Sequence, residues 1–143
     1  MRAGVIVFPG SNCDRDLFSS FKLFGFSVTY IWHKDDKLPS GLDILGIPGG
    51  FSFGDYLRCG AIAANSPITS AIVDFANAGG YIIGICNGFQ ILCETGLLPG
   101  ALVRNTGMKF ICRNEEISVE NCNSAFTKNY NLHQKLTLPI AHH

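Results

Sequence analysis

Residues 84–88 read Gly84-Ile85-Cys86-Asn87-Gly88, a cysteine with glycine two positions before and two after it, directly behind the apolar run Tyr81-Ile82-Ile83. This spacing belongs to a sharp strand-to-helix elbow, where the backbone crowds both sides of the central residue and holds its side chain out at the turn. A thiol at a helix N-terminus is favoured as thiolate, the form that attacks carbonyl carbon. The amide of Asn87, the first residue past the nucleophile, would face the oxygen of that carbonyl. A second glycine loop, Pro48-Gly49-Gly50, follows another apolar run and offers a second donor. Each such donor contributes on the order of 10²–10³ in rate. Gln90, one turn beyond Cys86, can face the same pocket. Cysteine, two amide donors and a pocket together make an acyl-transfer site.

Plainer readings stand beside these. Cys86 could be a small buried residue in a tight turn, Pro48-Gly49-Gly50 a turn, and Gln90 a solvated helix residue. Ser11-Asn12-Cys13-Asp14 reads as a helix cap, Asp55 and Arg58 as a surface ion pair, and His33 and His133 as surface residues of polar segments.

The elements that must position the elbow follow from apolar periodicity. Ala3 to Phe8 is a short β-branched run stopped by Pro9-Gly10, and reads as a buried strand. Leu17, Phe18, Phe21 and Phe24 recur at helical spacing between Ser11-Asn12 and Gly25. Ser27 to Trp32 and Asp43 to Ile47 are two further strands. Phe51 to Ala64 reads as loop with a possible helical turn. Ser66 as N-cap and Pro67 at the first helical position open a helix whose Ile68, Ala71, Ile72, Phe75 and Ala76 share a face, with Gly79-Gly80 beyond its end. Tyr81 to Ile85 is a fourth strand, and Phe89 to Cys93 a short helix. Beyond Pro99-Gly100 the pattern changes to extended runs at Lys109–Cys112, Ile117–Val119 and Leu136–Ile140. The alternation predicts an α/β fold, flavodoxin-like, with three αβα layers, a mostly parallel sheet and a C-terminal hairpin addition. Sites in such sheets form beyond the carboxyl ends of the strands, where both glycine loops fall.

The chain has 143 residues, 47% hydrophobic and 15% charged, which fits one packed domain over residues 1–143. Eleven basic side chains balance eleven acidic ones, so there is no electrostatic case for nucleic acid or an anionic membrane as partner. The N-terminal apolar stretch is too short for a signal peptide or a membrane span, so a cytoplasmic protein is expected. The six cysteines form no C-x-x-C pair and no metal-ligand pattern with histidine, so no metal is expected.

Three segments in order carry a resemblance: Val7-Phe8-Pro9-Gly10-Ser11-Asn12-Cys13-Asp14, Ile47 to Arg58 (IPGGFSFGDYLR) and Gly84 to Leu92 (GICNGFQIL). Together they resemble the glutaminase subunits of phosphoribosylformylglycinamidine synthase, the PurQ-type class I glutamine amidotransferases, and the likeness extends over the whole chain. Arg104-Asn105, Lys109 to Arg113 and Leu138 to His142 also look like that family. The resemblance implies that Cys86 attacks the side-chain amide of glutamine, forms a glutamyl thioester and releases ammonia. The amides of Gly50 and Asn87 would form the oxyanion hole, and Gln90 would help to hold glutamine. The implied partners are a large synthetase subunit and a small accessory subunit. The synthetase, using ATP and Mg, would convert formylglycinamide ribonucleotide into its amidine in purine biosynthesis; this chain itself would carry no cofactor.

One departure from the family pattern has a chemical consequence. Members complete their triad with His and Glu from a Pro-His-Pro-Glu stretch that these 143 residues do not contain, so the domain reads as incomplete. His142 matches a family histidine that is not the triad base, and His143 replaces a glycine. Without that base little glutaminase turnover is expected of this chain alone. Two other function classes remain open on the residues: a non-catalytic docking subunit of a synthetase, and a cysteine hydrolase or redox protein on a related scaffold.

Overall fold

The computed structural model describes residues 1–143, which divide into two compact units, Met1–Leu102 and Val103–His143. In the first unit the elements run β1 (Arg2–Val7), α1 (Asp14–Leu23), β2 (Ser27–Trp32), β3 (Ile44–Ile47), α2 (Ile68–Asn77), β4 (Tyr81–Gly84) and α3 (Asn87–Glu94), with short 3₁₀ turns at Ser52–Asp55 and Ala63–Asn65. The four strands form one parallel sheet in the order β2-β1-β3-β4.

The apolar runs of the inner strands are continuous because both of their faces are covered. Ala3, Val5 and Ile44 pack with Leu17 and Phe21 of α1. Ile6, Leu45 and Ile47 pack on the opposite face with Ile68 and Ile72 of α2 and Ile91 and Leu92 of α3. The result is a three-layer αβα arrangement, as the alternation of elements predicts. β2 and β4 are the edge strands, and the residues of β4 are exposed or half-buried where β3 is buried throughout. Strand order reverses between β1 and β3, so the loops after these two strands flank a crevice at the C-terminal edge of the sheet.

Helix ends follow the glycines. The amide of Phe26 donates to Phe21 O and that of Gly25 to Lys22 O, closing α1, and Gly80 to Phe75 with Gly79 to Ala76 repeats the pattern for α2. The expected side-chain caps are not made. Ser11 Oγ accepts from the Phe8 amide at 3.2 Å and closes the turn after β1, while α2 starts behind Pro67 with no side-chain cap from Ser66.

The second unit holds β5 (Ile111–Ser118) and β6 (Lys135–His142), an antiparallel pair in register from Ile111 opposite His142 to Ser118 opposite Lys135. The two extended runs expected at 109–112 and 117–119 are joined into one strand. In a two-stranded ribbon whose residues are mostly exposed, the polar stretch Arg113 to Glu116 does not interrupt pairing. No helix is long and apolar enough to cross a membrane.

His33 departs from expectation. Its amide donates to Val7 O, continuing the β1–β2 ladder past Trp32, and its ring is buried against Phe8, Trp32 and Phe53. Neither ring nitrogen has a hydrogen-bond partner. The charged residues after it, Lys34 to Asp36, make the segment read as surface, but the chain leaves the sheet one residue later than they suggest. Burial holds the His33 pKa below its ordinary value, Lys34 adds to this, and Asp35 opposes it. The neutral ring is therefore the folded form, and in acid the unfolded chain takes up the proton first. Stability from this group is complete above about 6.5, the ordinary histidine pKa, and is lost as the pH falls toward the lower folded value. His33→Phe is expected to remove this slope from denaturant midpoints measured between pH 7 and 5. It should also raise stability by about 1–3 kcal/mol by deleting unpaired buried nitrogens; an unchanged slope would place the titration elsewhere.

Candidate active site

β4 ends at Gly84, and the chain turns through Cys86 at φ 52°, ψ −110° before entering α3. A side chain rarely adopts that backbone conformation, and it persists only where the surroundings impose it. Here both flanking glycines are in close contact. A Cβ on Gly88 would stand 2.0 Å from the Ile47 carbonyl oxygen, and one on Gly84 would meet Gly88 O at 2.7 Å and Leu92 Cδ1 at 2.6 Å. The Ile85 amide donates to Ile47 O at 3.0 Å, the Gly88 amide to Ile85 O at 2.8 Å, and the Gln90 amide to Cys86 O at 3.2 Å. The elbow is thus pressed onto the end of β3. Cys86 is exposed, which rules out the reading of it as a buried packing residue.

The loop after β3 lies against this turn. A Cβ placed on Gly49 would come 3.3 Å from Cys86 Cβ and 3.6 Å from Cys13 Sγ. Gly50 has φ +132°, and a side chain there would strike Asn12 N at 2.5 Å and Gly10 O at 2.6 Å. The amides that follow are committed in sequence: Phe51 to Gly10 O at 2.9 Å, Ser52 to Asn87 Oδ1 at 3.0 Å, and Phe53 to Pro9 O at 2.7 Å. The Gly50 amide has no backbone acceptor, and that of Asn87, first residue of α3, has no acceptor within its helix. The structure therefore brings Cys86, Gly50 and Asn87 to one place, at the carboxyl ends of β1, β3 and β4.

Gln90 joins them through Asn87, whose Nδ2 donates to Gln90 Oε1 at 2.9 Å and to Asp55 Oδ1 at 3.0 Å. Asn87 is 1% exposed. Its side chain is the element that sequence reasoning missed. The available signal was a polar residue one position inside a helix that must pack on the sheet, where a buried carboxamide needs partners. Asp55 and Arg58 are not paired with each other. Arg58 makes a bidentate contact with Glu94 at 2.8 and 2.9 Å, drawing the Glu94 carboxyl below its usual range, and Asp55 turns to Asn87. Two of the remaining thiols are poor thiolate candidates, since burial pushes up both Cys59, with Asp55 beside it, and Cys93. No group of three or more His, Cys, Asp or Glu residues could hold a metal ion.

A family model described as "CobB/CobQ-like glutamine amidotransferase domain" matches residues 1–143. The chain belongs to this glutamine amidotransferase family. Similar curated proteins carry the name "Phosphoribosylformylglycinamidine synthase subunit PurQ". That of Roseobacter denitrificans is 63% identical over all of this chain and 64% of its own length, and that of Cereibacter sphaeroides is 61% identical with the same coverage. A solved structure from Thermotoga maritima, "Structure of PurLQS", superposes with a TM-score of 0.88 at 48% identity, over 99% of this chain and 66% of its counterpart. The chain thus spans less than two thirds of the length of the amidotransferases it matches.

The packing of the elbow makes a direct prediction. Gly88→Ala should lower unfolding free energy by about 3 kcal/mol or more, because the Ile47 carbonyl is backbone and cannot yield as a side chain would. Gly107→Ala, with nothing near its Cβ position, should stay within about 0.5 kcal/mol. Equal effects in denaturant titrations would contradict the close approach.

Proposed function

We propose that this chain carries the nucleophile half of a glutaminase that supplies ammonia to a phosphoribosylformylglycinamidine synthase. The observation that carries the reading is the exposed Cys86, held at a strained elbow beside two backbone amides without backbone acceptors. Cys86 Sγ attacks the side-chain carboxamide carbon of glutamine. The amides of Gly50 and Asn87 receive the developing oxyanion, and Gln90 contacts the bound glutamine. Collapse of the tetrahedral state breaks the C–N bond, the nitrogen takes a proton and leaves as ammonia, and a glutamyl thioester remains. Water then cleaves the thioester to glutamate and the free thiol.

The names of its relatives support a partnership with a large synthetase subunit and a small accessory subunit. On this reading ATP and Mg act on the synthetase, where ammonia converts formylglycinamide ribonucleotide to its amidine, and this chain works without a cofactor in the cytoplasm. Residues 1–143 form part of a single amidotransferase domain. The base and its carboxylate come from the His and Glu of the family's Pro-His-Pro-Glu stretch, not from His33, which is enclosed by Phe8, Trp32 and Phe53.

The diazoketone analogue 6-diazo-5-oxo-norleucine should label this chain once, at Cys86, and glutamine should protect it; Cys86→Ser should abolish labelling. Ammonia release by the 143-residue chain should fall at least about 10²-fold below that of a full-length relative, since positioned acid–base catalysis contributes about 10²–10⁴. Absence of glutamine-protectable labelling would favour a docking role without catalysis, and full turnover would place a working base among these residues.

A further inference from the structure

The carboxamide of Asn87 is buried and fully committed. The Ser52 N–H can only donate, so Oδ1 must face it, which leaves both hydrogens of Nδ2 for Asp55 Oδ1 and Gln90 Oε1. Two of these partners, Ser52 and Asp55, lie on the loop after β3, and Gln90 lies in the first turn of α3. The loop is strained: Phe53, Asp55 and Leu57 have φ of 52°, 55° and 69°, and Gly54 lies between them at 71°. A segment with that many left-handed residues keeps its shape only under restraint. Pro9 O and Gly10 O hold it from the β1 side, and the Asn87 carboxamide holds it from the elbow.

We infer that the Asn87 side chain is a positioning residue, a clasp that fixes the spacing between the Gly50 and Asn87 amides by binding Ser52 and Asp55 on the loop after β3. The inference rests on the glutaminase reading and adds a role distinct from that of the Asn87 backbone amide. Gly50 is two residues from the clasped Ser52 amide, so loosening the clasp lets the strained loop relax and moves one oxyanion donor relative to the other. The clasp therefore acts on reactions that develop negative charge on oxygen, and has little effect on reactions that do not.

Two electrophiles separate these cases on the intact chain. With 6-diazo-5-oxo-norleucine the Cys86 thiolate adds to the ketone and develops an oxyanion, the diazo carbon takes a proton, and sulfur passes to that carbon as dinitrogen leaves and the ketone re-forms. Displacement of iodide from iodoacetamide develops no such oxyanion. Asn87→Ala is expected to lower the maximal rate of Cys86 labelling by the diazoketone about 10²-fold, the effect of losing one donor, while iodoacetamide alkylates Cys86 within about twofold of the wild-type rate. Asn87→Asp sets a carboxylate against Asp55 and should be at least as slow. Combining it with Asp55→Asn restores a donor opposite an acceptor and should recover about tenfold, a coupling that a general loss of stability would not give. Asp55→Ala, which leaves the buried residue in place, serves if Asn87→Ala does not fold. An unchanged ratio of the two labelling rates in Asn87→Ala or Asp55→Ala overturns the clasp, as does a double variant no faster than Asn87→Asp. A wild-type chain that reacts with iodoacetamide but not with the diazoketone overturns the glutaminase reading itself.

Discussion

The tightest approach at any glycine is that of the Gly88 backbone to the carbonyl of Ile47, a gap that a single Cβ would overfill. It joins the start of α3 to the end of β3 with no side chain between them. Because β3 and β4 are paired up to Ile47 and Gly84, the chain has one step, Ile85–Cys86, in which to reverse from strand to helix. The backbone of Cys86 absorbs that reversal at positive φ, and its side chain is thrown outward. Exposure of the sulfur and contact between the two glycine loops are thus consequences of the same packing contact.

Around this contact the Asn87 carboxamide pairs with Ser52 N, Asp55 and Gln90, while the buried Ser52 hydroxyl has no partner. Phe51 and Phe53 give their amides to the loop after β1 and Ser52 gives its amide to the Asn87 side chain on α3, while Gly50 and Asn87 do not donate to the backbone. The apolar groups stand behind them as a platform: Ile47, Ile91 and Leu92 fill the space beneath the elbow, and Leu17 and Phe21 pack on the opposite face of the sheet. Phe53 ties the two systems together, since it belongs to the strained loop yet stacks edge-on against the neutral ring of His33 at 5.3 Å. The sheet beneath the elbow is packed on both faces, and the loop at its rim holds its left-handed residues against it.

Much of this was legible in the sequence, and the reasons are local. Cys86 between glycines after an apolar run, the glycine pair at 49–50 and the two-sided strands of β1 and β3 all leave short-range marks of steric need. The failures concern partners far apart in the chain. Asp55 and Arg58 are near in sequence, yet each finds its partner more than thirty positions away, in Asn87 and Glu94. Ser11 and Ser66 have the right type for caps, but Ser11 is taken by the turn after β1 and α2 begins behind Pro67 without a side-chain bond. His33 looked exposed because charge follows it, whereas its burial is set by Phe8 and Phe53 from other segments. The side-chain role of Asn87 was hidden for the same reason, since a carboxamide's partners are chosen by the tertiary fold.

A crystal structure of the chain with Cys86 covalently trapped by a glutamine-derived ketone tests the central claim most directly. The account predicts the ketone-derived oxygen about 2.7–3.1 Å from both the Gly50 and the Asn87 amide nitrogens, the range of an occupied oxyanion hole. An adduct whose oxygen points to solvent, or meets the carbonyl rather than the amide of the loop at Gly50, would contradict it.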